Sequence, residues 1–72
     1  MKYYYFVVEF TNDRAQVMTD WFKATNAINA AKQALKEYAG VVYTVDGPFK
    51  SEGEAIEELN NQLRSTTKQT EG

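Results

Sequence analysis

The sequence predicts a small α+β domain: a two-layer sandwich of order ββαβα, with a three-stranded antiparallel sheet of order 2-1-3 carrying two helices on one face. Three observations predict it. An aromatic and β-branched run, KYYYFVVEF, is followed by an Asn-Asp turn and a second mixed run. An alanine-rich segment with helical spacing ends at a glycine. A third short apolar run, VVYTV, stops at Gly-Pro, and a serine-to-glutamate capping signal opens a second helix.

The first strand is Lys2 to Phe10, whose residue types fit a pleated surface and whose length is short for a helix. Thr11 to Ala15, TNDRA, breaks the pattern; Asn12 and Asp13 favour local turn geometry and make it a hairpin loop. Gln16 to Thr25 returns as the second strand, antiparallel to the first. Thr25 or Asn26 then caps the surest helix of the chain. Its apolar stripe is read as Ile28, Ala31, Leu35 and Tyr38, with Ala27 and Ala34 flanking, and Gly40 ends it. Val41 to Val45 forms the third strand. After the Gly-Pro break, Ser51 and Glu54 stand at the spacing of a capping box, and Ala55, Ile56, Leu59 and Leu63 give the second helix its buried stripe. Residues 1–64 thus form one domain. The stretch 65–72, STTKQTEG, has no apolar residue and is expected to be a disordered tail.

Composition narrows the function classes. The chain has 72 residues, 43 % hydrophobic and 25 % charged, with a net charge of −2, and contains neither cysteine nor histidine. Disulfides, thiolate zinc sites, cysteine nucleophiles and the imidazole general base are therefore excluded. No constellation for catalysis stands out, so the expectation is a non-enzyme with no catalytic residues, no metal site and no cofactor. Asp20 beside Trp21, with Glu9, is the one carboxylate pair to consider, and a charged strand-edge role for Asp20 is the preferred reading. The acidic balance speaks against a general grip on duplex nucleic acid. With no signal-like segment and no run long enough to span a bilayer, the protein is expected in the cytoplasm, without a membrane partner.

Alternation assigns Tyr4, Phe6, Val8 and Phe10 to the helix-covered core, joined by Phe22, Ala24 and Phe49, and sends the other parity outward. The open face then carries Tyr3, Tyr5, Val7, Val17, Trp21, Lys23 and Tyr43 as the candidate protein-interaction site. Exposed aromatic faces of this kind mark partner or subunit contacts; cross-strand aromatic pairing for stability alone is the competing explanation. The leading expectation is a small interaction module, an adaptor or inhibitor that self-associates as a homodimer through this face or a strand edge. One alternative stacks single-stranded nucleic acid on Tyr3, Tyr5 and Trp21. The other is a small acidic inhibitor of the type phages encode, using the helix face of Glu52, Glu57 and Glu58, against the simpler reading of a solvated helix face.

GPFKSEGEAIEEL, Gly47 to Leu59, is similar to a pattern in the sporulation-related, peptidoglycan-binding repeats, over about a fifth of the chain. Those repeats have another element order, and strand ending, capping and helix burial account for the motif locally, so no binding role is transferred from them.

Overall fold

The computed structural model describes residues 2–38 and 40–71, and side chains as far as Arg64. The order is β1 (Tyr4–Thr11), β2 (Val17–Ala24), α1 (Ala27–Tyr38), β3 (Val42–Phe49) and α2 (Glu52–Glu71). The strands form one antiparallel sheet, β2-β1-β3, so the predicted order ββαβα and the predicted sheet order both hold.

The β1–β2 hairpin is built by Asn12. Its Oδ1 accepts the Arg14 and Gln16 amides at 2.8 and 3.0 Å, while its carbonyl accepts the Ala15 amide at 3.1 Å. Closing the turn places Ala15 at φ 60°, a left-handed conformation normally left to glycine. Register then follows without a slip, from Tyr4 opposite Ala24 to Thr11 opposite Val17. On the other side of β1 the ladder to β3 is irregular, shifting between Tyr5 and Val7 and between Glu9 and Phe10. Gly47, at φ 129° with a cis bond to Pro48, lies in the first irregularity.

Asn26 is the cap of α1: its Oδ1 accepts the Asn29 amide at 2.8 Å. The buried side of α1 is Ala30 and Ala34, packed with Phe6, Val8, Phe10, Phe22 and Ala24; Tyr38 sits 4.7 Å from the Phe10 ring, centroid to centroid. This corrects the predicted stripe. Ile28 and Leu35 are exposed, because the helix turns its smallest side chains to the sheet and can approach closely. At the far end the chain enters β3 against Thr11, whose amide donates to the Val41 carbonyl and whose Oγ1 accepts the Val41 amide, both at 2.8 Å.

The second correction concerns the layers. Each helix touches all three strands, yet among the described residues the helices do not touch each other. Val7 and Ala55 are both fully buried at 0 % exposure but lie outside the cluster that α1 covers. Gln62 of α2 donates to Asp46 at 2.7 Å, and Asp46 pairs with Val7 across the ladder. Hence α1 covers the Phe6 face and α2 the Val7 face, making three layers where two were expected. Phe49, expected in the α1 core, pairs with Tyr5 and so belongs to the α2 side. Ser51 does cap α2: its Oγ accepts the Glu54 amide and donates to the Glu54 carboxylate. The helical backbone continues beyond Arg64 to Glu71, through most of the stretch read as a disordered tail; Gly72, its last residue, lies outside the described residues.

Candidate functional site

Parity places the predicted site residues of β1 and β2 together. Tyr5 stands opposite Lys23, and Val7 opposite Trp21. The Tyr5 and Trp21 rings are 5.7 Å apart with planes inclined at 55°, and the Lys23 ammonium lies 5.7 Å from the Tyr3 ring and 5.8 Å from that of Tyr5. Such cation-to-ring contacts contribute about 0.5–1 kcal/mol at exposed sites. The cluster is real, but its surface is not open. Val7 is sealed under α2, and Tyr5 and Trp21 are half-buried; only Tyr3 and Lys23 stand clear. Val17, at the other end of β2, and Tyr43, on β3, are exposed and distant in register from this cluster.

The carboxylates separate as well. Asp20 pairs with Val8 and therefore shares the α1 face, whereas Glu9 pairs with Thr19 and Thr44 on the α2 face, so the two do not form a pair. Asp20 has a backbone role instead. Its Oδ1 accepts the Trp21 amide at 2.8 Å, occupying a donor of the edge strand β2.

Of the acidic residues of α2, Glu54 is engaged by Ser51 and Glu58 accepts from Gln62 at 3.0 Å, while Glu52 and Glu57 are exposed. Glu54, Glu57 and Glu58 with Phe49 border a shallow depression of about 230 Å³. Among the described residues no group of three or more carboxylates is placed to hold a metal ion, and no helix is long and apolar enough to cross a membrane.

Sequence reasoning missed the two flanks of α1. Ile28 and Leu35 are seven positions apart and so lie on one line of the helix, on the flank opposite Gln33. Gln33 reaches β2, its Nε2 donating to the Lys23 carbonyl at 2.9 Å. Ile28 and Leu35 therefore overhang the β3 side of the sheet. The signal was present in the spacing: an alanine pair at 30 and 34 competes with the larger stripe for the buried side.

No family model matches this chain, and no curated protein or solved structure matches it.

Proposed function

We propose that this chain is a non-enzymatic, self-associating protein-interaction module of the cytoplasm, docking through the edge of β3. The observation that carries the reading is the exposed apolar side of that edge. Ile28 is 69 % and Tyr43 58 % exposed, with Leu35 and Val41 also exposed. Large aliphatic side chains concentrated beside an edge strand favour burial against a partner. The occupant we assign is a second copy of the chain, with its β3 antiparallel to the first. A two-fold axis at that edge would extend the sheet and bring Ile28 and Leu35 against their own counterparts, the self-complementary arrangement of a closed dimer. The β2 edge suits this less, because Asp20 already takes the Trp21 amide there. A cytoplasmic setting agrees with a chain that contains no cysteine to form disulfides.

The test is light scattering coupled to gel filtration on the wild type, Leu35→Lys and Tyr43→Lys. A dimer that each exposed-site variant splits, with the far-UV spectrum retained, is the expected result. A monomer at millimolar concentration, or a dimer indifferent to both variants and broken only by changes at Tyr3 or Val17, overturns it.

A further inference from the structure

The opposite flank of α1 has different chemistry. Between this helix and the end of the sheet where β1 begins lies an open cleft of about 410 Å³. One wall is helical, with Lys32 and Lys36 one turn apart; the other is the ring of Tyr3, which is 55 % exposed, and the floor is Ala24. None of the lining residues carries a carboxylate. The Lys23 ammonium, 5.7 Å from the same Tyr3 ring, belongs with Tyr5 on the other face of the sheet and does not line the cleft.

The polar residues of the cleft are already held in place. Asn29 Nδ2 donates to Thr25 Oγ1 at 2.8 Å and Gln33 Nε2 to the Lys23 carbonyl at 2.9 Å, which fixes these amides with their carbonyl oxygens as acceptors. A ligand therefore meets an aromatic ring, an apolar floor, two amide groups and two ammonium groups. The acidic helix α2 is on the other side of the sheet, roughly 20 Å away across two layer spacings, beyond the screening length of physiological salt. A chain of net charge −2 thus presents a locally cationic cleft.

We infer that this cleft binds a nucleoside phosphate, with the base against Tyr3 and the phosphate between Lys32 and Lys36. Inorganic phosphate alone leaves the ring unused, and an uncharged aromatic leaves the lysines unused. The same chemistry is offered by a free mononucleotide and by one nucleotide of a single strand. The site is independent of the β3 edge, so it stands or fails separately from self-association.

The experiment is an amide-shift titration of the isotopically labelled protein at about 0.15 M salt, where the screening length is about 8 Å, with AMP, adenosine, inorganic phosphate and an oligoadenylate. Saturable shifts at Tyr3, Asn29, Gln33 and Lys36 with AMP are expected, with adenosine and phosphate each binding about tenfold or more weakly. Lys32→Ala with Lys36→Ala should weaken AMP about tenfold; both side chains are exposed, so the dispersed spectrum should persist. Tyr3→Phe should retain binding and Tyr3→Ala lose it. Oligoadenylate binding more tightly than AMP at the same amides identifies a single strand as the source, and equal affinity identifies the free nucleotide. No saturable shift with millimolar AMP, shifts centred elsewhere, or phosphate binding as well as AMP overturns the proposal.

Discussion

Gly40→Ala tests the most constrained point of the fold. A Cβ built on Gly40 falls on the backbone carbonyl of Thr11 and 2.5 Å from its Oγ1. The carbonyl belongs to the central strand and has no freedom to move, so the link from α1 to β3 must retreat. Retreat breaks the two 2.8 Å bonds between Thr11 and Val41, worth about 1 kcal/mol each net. Thr11 is buried, and leaving one of its polar groups without a partner adds about 1–3 kcal/mol. The expected loss is therefore about 3–5 kcal/mol, a large share of the roughly 5–15 kcal/mol that holds a domain together. Urea unfolding followed by Trp21 fluorescence and far-UV circular dichroism measures it. With a slope of about 1–1.5 kcal/mol per molar for a chain of this size, the midpoint should fall by about 2–5 M. Because the worst contact is with backbone, Thr11→Ala should not rescue the variant. A midpoint shift below about 0.5 M, or rescue by Thr11→Ala, would refute the reasoning.

Three further changes probe the other links. Ala15→Gly relieves a left-handed alanine costing about 1–2 kcal/mol but adds unfolded-state entropy; a net gain of about 0.5–1 kcal/mol is expected in the same urea assay. Gly53→Ala lies near the start of α2, where an added Cβ meets nothing nearer than the Ser51 Oγ at 3.9 Å; it should stabilise by up to about 1 kcal/mol, read as a higher melting temperature. Val7→Ala distinguishes three layers from two. Sealed under α2, this side chain should cost about 2 kcal/mol to truncate, whereas on an open face the loss would stay near a few tenths.

Much of this fold was legible because strand parity is a rigid rule. Tyr4, Phe6, Val8 and Phe10 separate from Tyr5, Val7 and Glu9 by geometry alone, and the register keeps Phe22 and Ala24 with the first set. Parity does not say which set faces the last helix. Here the clue was the near-continuous apolar run from Tyr3 to Val8, the mark of a central strand covered on both faces; reading one face as open ignored it. In α1 the ambiguity was between two stripes offset by about 60–100°, and alanine won because a close helix-to-sheet approach excludes Ile28 and Leu35. The predicted aromatic site failed as an open surface for the same reason: its centre, Val7, is the seat of α2.

Covering both faces also dictates where recognition chemistry can remain. Three strands at about 4.8 Å spacing make a sheet roughly 10 Å wide, and one helix is about as broad. A single helix therefore fills each face, and its two flanks project over the sheet edges. On α1 those flanks are chemically unlike: Ile28 and Leu35 look over β3, while Asn29 and Gln33 look over the end of β2, with Lys32 and Lys36 above them. Self-association and ligand binding are thus divided along the two sides of one helix, and not between the two faces of the sheet. Leu35→Lys should then abolish the dimer without moving AMP affinity, and the Lys32→Ala, Lys36→Ala pair should do the reverse. Loss of both properties in either variant would mean that the flanks act as one surface, which a helix this narrow permits only if α1 itself shifts on the sheet.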